Sequence, residues 1–296
     1  MRCAFLTLDD PTGYTIDDHL AAAPFARLGW SVEDVPWRRL GVDWSAYDAV
    51  VIRSTWDYAK DPDAFLGVLA AIARSGAVLL NPLDLVAWNI RKTYLRDLAA
   101  RGVAIVPTVW RERLGRGDLR DLLDEVGSEE IVVKPVIGAS ARGAFRLTAA
   151  TSAQVVAEIE AYYADRALMA QPFIHSIPTE GEYSLFYFDG EHSHTIRKTP
   201  KPADFRVQEE HGGANVATNA TPELLAAGAR VMRSLDDTPL YARVDFARAN
   251  DASGYWLMEL ELIEPSLYLR MDAGAPGRFA NALHRRVVTA DGARSR

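Results

Sequence analysis

Two kinds of apolar pattern alternate along the first 82 residues. Residues 19–30 and 62–74 carry apolar side chains at helical spacing, and the second segment has a proline near its start, as helices often do. Short, nearly continuous apolar runs, typical of buried strands, occupy 2–8, 31–35, 48–53 and 76–82. Strands and helices in alternation predict a small α/β lobe built around a parallel sheet.

Beyond this lobe the pattern predicts helices between antiparallel strands. One amphipathic helix is expected over 85–102 and a strand over 103–110. Asp189-Gly190 separates two strand patterns, which is a strong signal for a two-residue hairpin. The tail is expected to form a surface helix over 276–284. These patterns predict three domains: an N-terminal lobe at 1–84, a central lobe at 85–168 and a C-terminal lobe at 169–296.

Composition and charge narrow the class of protein. A chain of 296 residues with 49% hydrophobic content can bury a large core. Its formal net charge of -7 argues against a nucleic-acid partner, which would favour a basic face. No apolar run approaches the ~20 residues needed to span a bilayer, and the single cysteine, Cys3, cannot form an internal disulfide. We expect a cytoplasmic protein, either a monomer or a homodimer, with no membrane partner.

Three carboxylates lie in two late segments that otherwise suit a core, LYARVDFAR and YWLMELELI. Strand alternation places Glu259 and Glu261 on one face of the second segment and Met258 and Leu260 on the other. If the two segments pair, Asp245 joins Glu259 and Glu261 at one place. Three convergent oxygen ligands suit Mg²⁺. A salt-bridged or solvent-facing sheet face is the alternative, and the segment by itself leaves both readings open.

Two lysines lie beside features that can bind phosphate. Lys134 follows three apolar strand residues and precedes a loop, 138–143, with two glycines. Such a loop between antiparallel strands can offer backbone N–H groups to phosphates. Lys92 lies in the helix predicted over 85–102. Taken alone, each lysine has a simpler structural explanation: the rim of a hairpin turn for one and a solvated helix position for the other.

The order of these features resembles the ATP-grasp superfamily. A helix lysine, a strand lysine with its glycine loop, the apolar segment MAQPFI and an aspartate followed by Glu-x-Glu occur in that order over about residues 85–270. The resemblance is closest to glutathione-synthetase-like and D-alanine–D-alanine-ligase-like members, and to the cycloserine-forming group of O-ureido-serine cyclo-ligases. It implies an α/β ATP-grasp fold with a Rossmann-like N-terminal lobe, and ATP and Mg²⁺ as cofactors.

The resemblance also implies roles for individual residues. Lys92 and Lys134 would hold the ATP phosphates, Arg243 would steady the transferred phosphoryl group, and the three carboxylates would bind magnesium. Glu261 departs from the common pattern, which often has asparagine there, and adds one negative charge. The other implied nucleotide contacts are Ser140 in the glycine-bearing loop, the hinge residues Gln171, Phe173 and Ile174, and Glu182.

Basic residues in two segments are candidate substrate contacts. Arg53 ends the strand pattern at 48–53, and ligands usually bind at the carboxyl ends of parallel strands. Arg53 could therefore hold a substrate carboxylate in a bidentate pair, or it could pair with Asp57 or Asp61. A second basic segment, within an acidic protein, contains Arg197, Lys198 and Arg206. This segment could hold phosphates or a second carboxylate, or it could be a solvated hairpin end.

The function expected from the resemblance is ATP- and Mg²⁺-dependent ligation of a carboxylate to an amine. The reaction would pass through an acyl phosphate on a small amino-acid-like substrate, either between two molecules or within one. Arg243, Lys134 and Arg53 are the expected catalytic residues. An ATP-dependent small-molecule kinase and a non-catalytic nucleotide-binding module are the alternatives.

Overall fold

The computed structural model contains three sheets and has the expected α/β class. It describes residues 1–138, 142–202, 204, 206–207, 209 and 212–294, apart from the side chains of 290–294. None of the helices in these ranges is both long and apolar enough to cross a membrane.

The first lobe is built on a parallel sheet. Its elements are β1 (Arg2–Thr7), α1 (Ala22–Arg27), β2 (Ser31–Pro36), β3 (Ala49–Ser54), α2 (Pro62–Ser75) and β4 (Val78–Leu80). The strands lie in the order β2-β1-β3-β4, and every pair is parallel. The Asp61 carboxylate caps α2 by accepting a hydrogen bond from the Ala64 N–H (3.2 Å). Because the strands are parallel, the loops after β1 and β3 lie at the same edge.

The second lobe is built on an antiparallel sheet. Its elements are α3 (Leu83–Asn89), α4 (Tyr94–Ala100), β5 (Val109–Arg111), α5 (Asp118–Val126), β6 (Glu130–Pro135), β7 (Phe145–Thr148), α6 (Ala153–Tyr162) and β8 (Leu168–Pro172). The strand order is β5-β8-β6-β7, and buried residues of α5 and α6 such as Leu122 and Ile159 pack on this sheet.

Packing does not follow the domain boundaries expected from sequence. Residues of α4, including Leu95 and Leu98, belong to the core of the third sheet. Strand β8 pairs with β5 and β6, so the boundary expected after residue 168 cuts into a strand of the second sheet.

The single helix expected over 85–102 is wrong, because the chain breaks between α3 and α4. Lys92 lies in this break, and its N–H donates to Val136 O at 2.8 Å. The Asn89 side chain, at the end of α3, donates to Leu260 O (2.9 Å) and accepts from Leu262 N (3.0 Å). These tertiary hydrogen bonds replace those of a continuous helix, and periodicity cannot reveal them.

The third lobe contains the largest sheet. Its elements are β9 (Glu182–Phe188), β10 (Glu191–Thr199), β11 (Ala214–Thr218), α7 (Pro222–Arg233), β12 (Tyr241–Arg248), β13 (Tyr255–Glu261) and α8 (Ala275–Arg294). The order is β11-β10-β9-β12-β13, with all pairs antiparallel. The hairpin expected at Asp189-Gly190 is present, and both residues have positive φ, 52° and 81°, as a type I′ turn requires.

A β-bulge changes which side chains of β13 face the core. Asp245 lies opposite Glu259, but the next residue, Phe246, lies opposite Leu257, so Met258 is the extra residue. Met258 consequently packs with Ile174 and away from Leu257. Its expected position on the core face with Leu260 was wrong, because simple alternation assumes a strand without a bulge.

Helix α8 is buried along one face rather than lying on the surface as the sequence predicts. Phe279 and Leu283 are fully buried in the same cluster as Phe5 and Phe188. The centroid of the Phe279 ring lies 6.1 Å from that of Phe5 and 5.4 Å from that of Phe188. The first and third lobes therefore share one core. The expectation failed because a narrow i, i+4 apolar stripe is hidden among polar neighbours.

We predict that Phe279→Ala destabilises the protein by about 3–5 kcal/mol, because the cavity would open between two sheets. Val288→Ala on the same helix, where the side chain is 46% exposed, should change stability by less than about 0.5 kcal/mol. Urea unfolding followed by circular dichroism would measure both. Equal losses in the two variants would contradict a shared core under α8.

Candidate active site

A cleft of about 340 Å³ lies where the three lobes meet. The first lobe contributes the loops after β1 and β3, which carry Tyr14, Trp56 and Tyr58. The second lobe contributes β6 and β8, and the third lobe contributes the polar faces of β12 and β13. The cleft therefore combines an aromatic wall, a basic wall and an acidic floor.

Asp245, Glu259 and Glu261 converge on the acidic floor. The register of β12 and β13 places Asp245 opposite Glu259 and Arg243 opposite Glu261. One carboxylate oxygen from each of the three acids lies within 4.8 Å of the others. Convergent carboxylate oxygens are the ligands that Mg²⁺ takes in nucleotide sites, so the set fits a divalent cation.

Each of these three carboxylates has a basic partner. Lys92 Nζ pairs with Glu259, and Arg243 Nη2 pairs with Glu261. Arg243 Nη2 also lies 2.9 Å from Asp245 Oδ2. Buried charges are tolerated when they are paired and hydrogen-bonded, and here the pairs lie within the cleft itself.

A buried lysine completes the floor. Lys198 Nζ lies 3.1 Å from Glu182 Oε1 and 3.5 Å from Asp245 Oδ1. Burial alone would raise the pKa of Asp245, but the charges of Arg243 and Lys198 lower it to about 2. Burial raises the pKa of Glu182 despite the opposing charge of Lys198. Lys198, expected as a substrate contact, is therefore engaged in a buried ion-pair network.

Lys134 is a cation of a different kind. It lies on β6 and lines the cleft, and no carboxylate in the described part of the chain lies within ion-pair distance of it. Burial, and then the nearby charge of Lys92, lower the pKa of Lys134 to about 8. A half-buried ammonium group with no carboxylate partner in the described part of the chain would be stabilised by an anionic ligand.

The chain segment after β8 forms an apolar wall with one available donor. Gln171 is 2% exposed and donates to Thr108 Oγ1 at 3.0 Å. The Phe173 N–H donates to Glu130 O at 2.8 Å, whereas the Ile174 N–H has no hydrogen-bond partner among the described residues. The apolar lining beside it consists of Ile177, Val207 and Met258. A narrow apolar slot next to a free N–H suits a planar heteroaromatic ring.

Of three other residues expected in the site, one lines the cleft, one does not, and one lies outside the described residues. Ser140 lies outside the described residues. Arg206 lines the cleft and pairs with Asp204 at 2.9 Å. Arg197 is exposed on β10 and is absent from the described lining of the cleft.

Arg53 lies behind the cleft wall, which corrects its expected role. It is 2% exposed; its Nε donates to Asp18 Oδ1 (3.0 Å) and its Nη2 donates to Pro265 O (3.1 Å). The alternative pairing with Asp57 or Asp61 is also not found. The expected substrate clamp fails because the β3 side chain points inward, where the guanidinium lies 5.2 Å from the Tyr241 ring centroid.

Two further residues line the cleft although no sequence pattern points to them. Tyr268 follows β13 in a left-handed backbone conformation with φ of 46°. Glu209 lies in an irregular segment and pairs with Arg270. Neither residue belongs to a periodic element, so hydrophobic patterning gives no signal for them.

Two family models match separate parts of the chain. The model described as the D-cycloserine synthetase DcsG N-terminal domain matches residues 3–81. The model described as the prokaryotic glutathione synthetase ATP-grasp domain matches residues 113–245. The two matches cover most of the first lobe and the region from before α5 to the middle of β12.

Individual relatives cover nearly the whole chain. Cycloserine biosynthesis protein DcsG of Streptomyces lavendulae is 32% identical over 274 residues, which are 88% of this chain and 90% of that protein. The crystal structure of D-cycloserine synthetase DcsG matches with a TM-score of 0.83 and 30% identity, over 97% of this chain and all of that one. A D-alanine–D-alanine ligase of Bacillus anthracis matches with a TM-score of 0.69 and 14% identity over 98% of both chains. The expected ATP-grasp fold is thereby confirmed.

We predict that Lys198→Met destabilises the protein by about 3–5 kcal/mol, because it leaves Glu182 and Asp245 buried without this cation. Arg197→Met is the matched control, since the neighbouring side chain is exposed and its loss should change stability by less than about 0.5 kcal/mol. Urea unfolding at neutral pH would compare them. A stable, fully folded Lys198→Met protein would refute a structural role for this network.

Proposed function

This chain belongs to the ATP-grasp superfamily of ATP-dependent C–N ligases, and from that premise we propose that it forms its C–N bond through an acyl phosphate on a small amino-acid-like substrate. The observation that carries the proposal is the composition of one cleft. Apolar side chains, lysines and arginines that include Lys92, Lys134 and Arg243, and three convergent carboxylates line this cleft, which are the kinds of group that a nucleotide ring, its phosphates and a cation require. ATP-grasp ligases in general use ATP with Mg²⁺.

Residues on two walls of the cleft would bind different parts of the nucleotide. The Ile174 N–H and the apolar residues beside it would hold the adenine ring, with Gln171 and Phe173 fixing the backbone through their own hydrogen bonds. Lys134 and Lys92 would contact the phosphates, because both line the cleft beside the acidic floor. Glu182 lines the same cleft and pairs with Lys198, which supports a place at the edge of the nucleotide.

Asp245, Glu259 and Glu261 would hold Mg²⁺. The ion would neutralise phosphate charge, which phosphoryl transfer requires. To bind it, Glu259 must exchange its contact with Lys92, and Lys92 is then available to a phosphate oxygen. The nucleotide and the cation should therefore support each other's binding.

The chemistry then proceeds in two steps. A substrate carboxylate attacks the γ-phosphorus of ATP, so that an acyl phosphate and ADP form. A substrate nitrogen next attacks the acyl carbon, the C–N bond forms, phosphate leaves with the electrons of the broken C–O bond, and the nitrogen gives up one proton to the departing phosphate. Arg243 lies between Asp245 and Glu261, where its guanidinium can stabilise the charge that develops on the acyl oxygen.

For the substrate we propose an O-ureido-serine-type molecule whose own nitrogen closes a ring. Support comes from the D-cycloserine synthetase DcsG. It is similar to this chain over the first lobe and over nearly the whole length. The D-alanine–D-alanine ligase, which by name joins two molecules, is only 14% identical. A reaction that consumes ATP on a free amino acid fits the cytoplasm.

Product mass tests this function. Incubated with ATP, Mg²⁺ and O-ureido-D-serine, the enzyme should release ADP and phosphate and form a ring-closed product. Closure by the oxygen-bound nitrogen leaves the carbamoyl group on that nitrogen, and hydrolysis of this group to carbon dioxide and ammonia then gives cycloserine. Lys134→Ala and Glu259→Gln should each lower ADP release by at least about a hundredfold, whereas Glu125→Gln, at a surface ion pair, should not. A phosphorylated acceptor would instead indicate a kinase, and nucleotide binding without ADP release a non-catalytic module. Normal turnover in either site variant would overturn the site assignment.

Nucleotide affinity should fall as the pH rises above about 8. The depressed pKa of Lys134 means that its ammonium form is present below this pH but must take up a proton on phosphate binding above it, at a cost of up to about tenfold in affinity per pH unit. Lys134→Arg stays charged and should lose this dependence. Calorimetric titration with a non-hydrolysable ATP analogue and Mg²⁺ at pH 7, 8 and 9 would compare the two. Parallel pH profiles would contradict the assignment of Lys134 to the phosphates.

A further inference from the structure

Glu264 is a buried carboxylate of the cleft that the proposed nucleotide and metal contacts do not use. It follows Glu261 by three residues, is 7% exposed and lines the cleft beside the aromatic wall of the first lobe. It is not a member of the three-carboxylate set whose ligand atoms lie within 4.8 Å of one another. Its side chain therefore needs an explanation of its own.

Glu264 differs from the other cleft carboxylates in having no basic partner. Asp245, Glu259 and Glu261 are paired with Arg243 or Lys92 as described, and Glu182 and Glu209 are paired with Lys198 and Arg270. Among the described residues, no lysine, arginine or histidine lies within ion-pair distance of Glu264. A carboxylate that is more than nine-tenths buried is costly without a partner, so this position favours a ligand that supplies one.

The backbone around Glu264 is held from behind by three side chains. Tyr241 Oη donates to Ile263 O at 2.7 Å, Trp56 Nε1 to Glu264 O at 2.9 Å and Arg53 Nη2 to Pro265 O at 3.1 Å. These donors come from two lobes and fix three consecutive peptide groups. The carboxylate is thus presented from a rigid segment, as binding groups in preorganised sites are. The buried Arg53 thus contributes to the site by holding the Pro265 carbonyl group.

The surroundings of Glu264 suit a small N–H-bearing group. The Trp56 and Tyr14 rings pack with centroids 4.8 Å apart, and both rings line the cleft with Tyr58. Burial, and then the charge of Glu261, raise the pKa of Glu264 to about 8. Burial and the charge of Glu264 raise the pKa of Tyr58, so the phenol faces the carboxylate as a neutral donor. A ligand that donates N–H groups or carries a positive charge would stabilise the anionic carboxylate.

We propose that Glu264 accepts a hydrogen bond from the substrate nitrogen that attacks the acyl phosphate, and so holds this nitrogen opposite the carboxyl end bound near Arg243. The inference rests on the proposed ligase function and adds to it the recognition of the nucleophile. It gives the cleft two separate subsites: basic and metal-binding groups for the carboxyl and phosphoryl end, and a lone acceptor for the nitrogen end. Because the two subsites hold the activated carboxyl group and the nitrogen close together, the C–N bond can form between them.

The test uses Glu264→Gln, which preserves shape, and Glu264→Leu, which removes the acceptor but fills the space. With O-ureido-D-serine, ATP and Mg²⁺, both variants should still release ADP, because the carboxylate can still be phosphorylated. The nitrogen is then misplaced and the acyl phosphate hydrolyses, so the product formed per ADP should fall on the order of tenfold for Gln and a hundredfold for Leu. Affinity for a non-hydrolysable ATP analogue with Mg²⁺ should stay within about twofold. Glu125→Gln, at a surface ion pair, is the matched carboxylate control.

Two results would overturn the proposal. Product per ADP equal to that of the wild type in both variants would show that Glu264 does not hold the nucleophile. A loss of nucleotide–magnesium affinity together with activity would assign it to the cation site instead. The ligase function fails differently: the wild-type enzyme itself would then form no condensed or cyclised product from an amino-acid panel that includes O-ureido-D-serine.

Discussion

The pairing of charged side chains across strands β9, β10, β12 and β13 of the third sheet is the constraint on which the rest of the cleft depends. Arg243 lies between Asp245 and Glu261, and Lys198 lies between Asp245 and Glu182. Removing either cation would leave carboxylates buried without compensation, which costs several kcal/mol. Asp245, Glu259 and Glu261 are also the carboxylates that fit a divalent cation. The ion pairs that stabilise them in the folded protein are therefore the ion pairs that a bound cation would have to replace.

Strand register sets this pairing, with Lys198 opposite Glu182 and Arg243 opposite Glu261, and the rest of the molecule fixes the register of β12 and β13. Asn81, fully buried at the end of the first lobe, donates to Tyr241 O (3.0 Å) and Leu262 O (2.8 Å). Asn89 donates to Leu260 O and accepts from the Leu262 N–H. With α8 packed between the first and third sheets, these contacts make the first lobe and the acidic floor one unit. The second lobe, which carries Lys134, has a sheet and a hydrophobic core of its own.

Sequence reasoning predicted what depends on local pattern and missed what depends on tertiary contacts. The parallel first sheet and the Asp189-Gly190 hairpin follow from periodicity and turn chemistry, which are local. Strand alternation was enough to bring Asp245, Glu259 and Glu261 together, because the bulge lies before Glu259. It was not enough for Met258, which the bulge turns into the cleft. The helical position expected for Lys92 and the substrate contact expected for Arg53 failed for a related reason: hydrogen bonds to distant backbone groups decide where each residue lies.

A cleft of this composition explains why a charged floor is compatible with a reaction that must exclude water. Lys92 and Glu259 form an ion pair, and under the proposed function each would acquire a new partner only if phosphate and cation arrive together. A nucleotide without its cation would leave Glu259 facing phosphate oxygens, and a cation without the nucleotide would displace Lys92 towards Lys134, a like charge. Both half-loaded states are disfavoured electrostatically. Under the proposed function, the arrangement would therefore favour the complete complex of nucleotide and cation over either partial one.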